Sequence, residues 1–326
     1  MVRVKVSCTK TVERSGSSNA GWQLSHDRRF EMHRILRYTA FIAVALWVAA
    51  PPAWAQKTQQ VFIKVTGPTG PIGDLQVGDV KVTGDDVACK VLKLEPAGSM
   101  KVQVLVDNGE ANTNPITGLR DGLKAFFEKM PDGLEMSLYT TAPQGRAIVR
   151  PTTDKKKLLD GIGLIAPDRA TGKFFESLLD AVDRVSRDKA PGFPLIMIVG
   201  SDVGTEDIKD RDVQDVQQKI IKNAIAIHVV LMSGGSGQSN RTGAQPEIGM
   251  SVTKMTGGRY ESINATTRLA TLLPEFADRI AQAAVQQRDQ YRVTYEAPAK
   301  RNPTAKVGVT VARDATVATS FDGRIQ

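Results

Sequence analysis

Two carboxylates stand where runs of apolar residues give out. Val102 to Val106 leads into Asp107 within VQVLVDNGEA, and Leu195 to Val199 leads through Gly200 and Ser201 into Asp202 within LIMIVGSDVGTED. A buried parallel strand that ends on an acid presents it at the carboxyl edge of its sheet, where open α/β sheets bind ligands. A pair of carboxylates there could hold a hard divalent cation, which takes oxygen ligands, or could move protons in acid/base chemistry. An Asp/Asn turn that simply closes a strand is the ordinary alternative.

Further oxygens lie close by in Asn108, Glu110 and Asn112. The small polar stretch Ser233 to Gln245, SGGSGQSNRTGAQ, follows another apolar run and should reach the same rim, unless it is only a flexible linker. Asp207, Asp210 and Asp212 sit at the start of a helical pattern, where acids are placed for capping and the helix dipole. His228 lies inside an apolar run, which reads as a satisfied core histidine. No Gly-x-Ser-x-Gly elbow and no His/Cys/Glu cluster is present, so the expectation is a non-enzymatic protein.

The elements that must position these groups change in kind near residue 98. From Val61 to Leu94 short alternating runs are broken by Gly67-Pro68, Gly70-Pro71 and Gly84-Asp85-Asp86, which predicts a small all-β module over 57–98. Beyond Pro96-Ala97-Gly98, strands alternate with helices. Strands are expected at Val102 to Val106, Glu135 to Tyr139, Leu195 to Val199 and Ile225 to Leu231. Helices are expected at Ile116 to Lys129, Lys155 to Leu164, Lys173 to Arg187, Asp212 to Asn223, Glu247 to Met255 and Thr267 to Gln286. This alternation over 99–289 predicts an α/β fold: a doubly wound, mostly parallel sheet with helices on both faces. In the last helix Leu269, Leu272, Leu273, Phe276, Ile280 and Ala284 form one apolar stripe, read as core. Tyr291, Val293 and Tyr295, then Val307, Val309 and Val311, alternate as strands in the tail 290–326. They are joined by the Pro298 to Pro303 turn region and are candidates to pair with the β module.

Composition bears on partners once the amino-terminal segment is set apart. Met32 to Ala55 reads as a secretory signal: His33, Arg34 and Arg37 begin it, Tyr38 to Ala50 is uncharged, and Ala53-Trp54-Ala55 precedes Gln56 as a cleavage site. The uncharged stretch is short for a membrane span, so no stable span is expected after cleavage. Residues 1–31 read as an upstream extension, either untranslated with Met32 as initiator or disordered. Without residues 1–55 the 43 Lys/Arg and 35 Asp/Glu of the chain become 35 and 32. A nearly neutral chain, with Lys155-Lys156-Lys157 as its one basic run, gives no reason to expect nucleic acid. Cys89 is then the only cysteine, so no internal disulfide forms, and a place between Val87 and Val91 suits a small buried hydrophobe. An exported protein, periplasmic or secreted, is expected.

Several segments in order resemble the von Willebrand factor type A domain, in particular the secreted bacterial proteins labelled VWFA-related. These are VQVLVDNGEA, LIMIVGSDVGTED, IAIHVVLMSGG, MTGGRYESINATTRLATLLPEFADRIA and QYRVTYEAP, with IGDLQVGDVKVTGDDVACKV ahead of them. The resemblance implies a protein-binding module whose metal-ion-dependent adhesion site holds Mg²⁺ through Asp-x-Ser-x-Ser, a Thr and a further Asp. Asp107 matches the first Asp and Asp202 the last, but Gly109 and Ala111 stand where the two serines should be. The Thr position falls on Thr171 by proximity or on Lys173 by helix register. The resemblance therefore implies a degenerate site, with Asp107, Thr171 and Asp202 as the ligands if any ion binds. With Lys173 at that position, its ammonium is expected to neutralise Asp107 and Asp202 in place of the ion. A protein partner is expected on a rim of Asp107, Asn108, Glu110, Lys173, Asp202 and Ser233, with no cofactor. The alternatives are an envelope scaffold with an inactive rim and Mg²⁺-dependent adhesion.

Overall fold

The computed structural model describes residues 57–109, 116–190, 192–203, 206–233, 244–297 and 307–320. The readings made above for residues 1–55, for Glu110, Ala111 and Asn112, for 234–243 and for the Pro298 to Pro303 turn lie outside these residues. The strands are β1 (Lys57–Gly67), β2 (Gly70–Pro71), β3 (Val80–Gly84), β4 (Val87–Pro96), β5 (Met100–Val106), β6 (Glu135–Thr140), β7 (Arg146–Thr152), β8 (Phe193–Ser201), β9 (Ala226–Met232), β10 (Tyr260–Ile263), β11 (Gln290–Ala297), β12 (Val307–Val311) and β13 (Thr316–Ser320). The helices are α1 (Ile116–Lys129), α2 (Lys155–Ile162), α3 (Phe174–Arg187), α4 (Asp210–Lys222), α5 (Gln245–Thr256) and α6 (Leu269–Gln286).

Every residue of β8 and β9 is buried, so neither strand shows the alternation of a half-exposed sheet. The reason is a layer on each face. Val102, Val104 and Val106 of β5 point into a core closed by α1, α2 and α6, while Leu105 points into another closed by α3, α4 and α5. The six-stranded sheet runs β10-β9-β8-β5-β6-β7, parallel throughout except for the antiparallel edge pair β6 and β7. This is the expected doubly wound α/β arrangement. From β5 the chain moves outward to β6, and later β8 returns to the other side of β5, which places the topological switch point between β5 and β8. Two strands of this sheet escaped the sequence reading. RAIVRPT in β7 mixes Arg and Pro with apolar residues because it is a largely exposed edge, and β10 has only four residues.

The second sheet is antiparallel, in the order β12-β3-β4-β11-β1-β13, with β2 folded back on β1. The tail therefore does join the β module. Strand β11 lies between β1 and β4, and β12 and β13 take the two outer positions. Only four residues link β12 to β13, a span of roughly 17 Å at most, so the sheet has to curl for its two edges to meet one linker. Its core holds Val61, Ile63, Val65, Val293 and Tyr295, with Cys89 half-buried against them rather than fully enclosed.

Alternation along β1 sends Phe62 the other way, out of that core and into the core of the parallel sheet. Its ring meets Phe193 at the start of β8, with centroids 4.5 Å apart. Arg292 of β11 bonds Glu95 of β4, and the Gln287 side chain donates to the Gly98 carbonyl at 3.2 Å. Phe62 is fully buried, so Phe62→Ala should cost about 3–5 kcal/mol. If it couples the two sheets, urea unfolding followed by far-UV circular dichroism and by tyrosine fluorescence should keep coincident, lowered midpoints. Two separated transitions would mean that the sheets unfold independently.

Candidate functional site

Asp107 follows the last residue of β5, and its backbone N–H donates to the Val199 carbonyl at 2.8 Å, so the carboxylate rises at the switch point. It is 5% exposed. The Gly109 N–H donates to Asp107 Oδ1 at 2.8 Å, and the Thr141 hydroxyl donates weakly to the same oxygen at 3.4 Å. The Ser201 backbone also bonds the carboxylate. Burial drives the Asp107 carboxyl above the usual range, and these three contacts only partly offset it.

The space beside this carboxylate is taken by the segment leading to α3. A Cβ on Gly172 would overlap the Asp107 carboxylate itself. One on Gly109 would stand 2.6 Å from Gly172 N and 2.7 Å from the Ala170 carbonyl oxygen. The two glycines thus allow backbone to lie directly on Asp107. Asn108 holds the same closure. Its amide nitrogen donates to the Ala166 carbonyl at 2.8 Å, its amide oxygen accepts from Ala142 N at 3.1 Å, and its carbonyl accepts from Asp168 N at 2.8 Å. Asn108 is 6% exposed.

Lys173 is where sequence reasoning needs correction. It immediately precedes α3, as the register argument required, and its N–H donates to the Thr141 carbonyl at 3.1 Å. Its ammonium, however, reaches Glu176 Oε1 at 3.7 Å, and its charge acts on Glu206, where it opposes the larger raising effect of burial only slightly. The backbone of Gly172 lies against the Asp107 carboxylate. The cause is local: the helix start turns the Lys173 side chain along α3, toward the acid one turn ahead.

The outer rim is Lys173, Asp202 and Ser233, all half-buried. Asp202 N donates to the Met232 carbonyl at 3.0 Å, and its charge holds the Tyr260 phenol above its usual pKa together with the larger effect of burial. The Ser233 hydroxyl lies 3.3 Å from that of Ser262. Asp107 and Asn108, expected to meet a partner, are instead enclosed beneath the closing segment.

Sequence reasoning missed Glu206. Its two carboxylate oxygens accept from Phe175 N and Glu176 N, each at 2.9 Å, capping α3 from a loop beyond β8. Burial raises its carboxyl pKa despite those bonds. A cap drawn from 30 residues away leaves no local spacing to read. Thr141 carries a faint signal, as a hydroxyl just past the end of an apolar strand. Asp210 and Asp212 fall in the first turn of α4, as their position suggested. Asp154 caps α2 by accepting from Lys156 N and Lys157 N, and Lys155 and Lys156 pair with Asp132 and Asp160. His228 is buried, and its Nδ1 accepts from Arg259 N at 2.9 Å.

Strand order and rim together define a doubly wound α/β protein with two acids at its switch point, one sealed and one at the surface. No protein-family model and no curated protein matches the chain. Solved structures similar to it include the VWA domain of SpRpn10, 16% identical over 54% of this chain and 94% of that one, with a TM-score of 0.42. A von Willebrand factor type A protein from Catenulispora acidiphila is 11% identical over 80% and 72%, with a TM-score of 0.48. The conserved hypothetical protein BatB from Bacteroides thetaiotaomicron is 10% identical over 56% and 99%, with a TM-score of 0.43. At these values the fold class rests on the strand order and the helical layers of the chain itself.

Restoring a serine should not rebuild an ion site here. Gly109→Ser and Gly172→Ala should each cost about 1–3 kcal/mol in urea unfolding, because the first would displace the 170–172 backbone and the second the Asp107 carboxylate. Asp107→Asn reports on burial. A carboxyl raised on folding favours the folded state below its unfolded pKa, about 4, and that contribution is lost as pH rises through the folded value. The stability of Asp107→Asn relative to wild type should therefore climb as pH rises from about 4 and then level off. A difference that stays constant with pH would contradict the raised pKa.

Proposed function

We propose that this chain is an exported, non-enzymatic protein-binding module of the von Willebrand factor A type that takes its partner on the carboxyl rim without a metal ion. The observation that carries the metal-free part is the backbone of Ala170 to Gly172 seated on Asp107, with glycine at the position of the first hydroxyl ligand. The residues around Asp107 do not fit a resident divalent cation, which needs several converging oxygens and room for them. Among the described residues, no group of three or more His, Cys, Asp or Glu side chains is placed to hold one.

The type A reading is supported by the ordered sequence segments together with a switch point that puts Asp107 and Asp202 on one edge. Export is supported by the signal-like Met32 to Ala55, and no described helix is long and apolar enough to cross a membrane. A partner would meet Lys173, Asp202 and Ser233, with Asp107 and Asn108 holding the surface from below. The enclosure of those two residues favours a second reading, in which the rim is inert and the protein serves as an envelope scaffold.

Two measurements test this. Thermal unfolding in excess Mg²⁺ or Mn²⁺ should match unfolding in chelator. An ion a hundredfold above its dissociation constant would add about 2.7 kcal/mol, and such a gain would restore the metal-dependent reading. Crosslinking and capture from the native envelope should recover a partner with the wild-type protein and lose it with Lys173→Ala/Asp202→Ala. Identical captures would remove the rim from function and leave the scaffold.

A further inference from the structure

At the amino ends of the parallel strands, opposite the rim, lies a cavity of about 400 Å³. The second half of α3 forms one wall, the start of β5, β6 and β8 the floor, and Gln60 and Arg292 of the antiparallel sheet close it. It lies within the size range of small-molecule sites.

Its charges are unevenly matched. Lys101 is held by Asp188 at 2.6 Å and Glu135 at 3.8 Å, and Arg292 is held by Glu95. Arg184 and Arg187, facing the same cavity from α3, make no ion pair within 4 Å among the described residues, although the Asp180 carboxylate one turn earlier attracts Arg184 from further away. Arg184 is also built into place. Its guanidinium carbon stands 3.9 Å over the Tyr139 ring, and its Nε donates to Gln103 Oε1 at 2.9 Å. Gln103 is itself fixed, because its amide nitrogen donates to the Ala181 carbonyl at 3.3 Å. Stacking and the Nε bond orient the plane of the guanidinium and leave its two terminal nitrogens for another partner. Burial lowers the Arg184 pKa, against the opposing effects of Tyr139 and the Asp180 carboxylate and with a smaller contribution from the Arg187 charge. A cation fixed in a half-buried wall with no carboxylate in direct contact is suited to pair with an anion.

We propose that this cavity binds a small organic carboxylate, its two oxygens on the terminal nitrogens of Arg184 and its apolar body against Tyr139 and Pro151. Guanidinium and carboxylate match in a planar, two-point fork, which a stacked arginine is already oriented to make. Arg187 adds long-range attraction at the mouth. The apolar share of the lining selects against a bare inorganic anion, which would leave those side chains facing water.

Benzoate, benzamide and inorganic phosphate discriminate the parts of this claim, by calorimetry and by amide chemical shifts of the full chain. Benzoate should bind one to one and shift the amides of Lys101 to Gln103 and Val185 to Asp188. Benzamide, which keeps the ring and loses the charge, should bind at least about tenfold more weakly. Arg184→Gln should weaken benzoate by about tenfold or more and leave benzamide unchanged, and Lys173→Gln, at the other end of the sheet, should leave both unchanged. Arg187 is exposed and offers a variant that folding does not depend on, so Arg187→Gln should weaken benzoate several-fold even if Arg184→Gln does not fold. No benzoate binding, equal binding of benzoate and benzamide, benzoate affinity untouched in Arg187→Gln, or phosphate binding more tightly than benzoate would each overturn the proposal.

Discussion

A carboxylate buried at the switch point of a parallel sheet is the constraint around which the rim is organised. Asp107 cannot turn to water, so the cost of enclosing it must be offset by donors brought from elsewhere. Gly109 N and the Ser201 backbone come from the ends of β5 and β8, and the Thr141 hydroxyl comes from the end of β6. Three neighbouring strands are thereby tied at one edge. The segment before α3 completes the enclosure, and it can approach only because positions 109 and 172 carry no side chain.

The same closure decides what kind of surface the rim can be. Asp107 Oδ1 accepts from Gly109 N and the Thr141 hydroxyl, and the backbone of residues 170–172 lies against the carboxylate. Charge that could meet a partner is displaced outward, to Lys173 and Asp202. Helix α3 couples the two ends of the sheet. Its first turn is capped by Glu206 beneath the rim, and its last turns carry Arg184 and Arg187 into the cavity at the opposite end.

Much of the fold was legible in the residues. The change from alternating runs to strands separated by helical patterns near residue 98 reflects two different burial geometries, and the core helices follow from 3.6-residue spacing. Strands β7 and β10 were not legible, because an exposed edge and a four-residue strand carry too little periodicity. At the site, Asp107, Asp202 and the start of α3 could be placed from sequence. The cap from Glu206 and the enclosure of Asn108 could not, since each depends on residues brought together from distant segments, and neither could the direction of the Lys173 side chain, a choice among rotamers at the helix start.

By itself the sequence determined which strand ends carry acids, which helical faces are apolar, and that glycine and alanine stand at 109 and 111 where hydroxyls would serve an ion. Those properties depend on residue type and short-range spacing, which survive in a linear reading. Only the tertiary structure decided that Asp107 is sealed by backbone, that Lys173 turns to Glu176, and that Arg184 is stacked over Tyr139. Each of these is a contact between segments some distance apart in the chain or a choice among side-chain directions, and packing settles both only once the two sheets and their helices are in place.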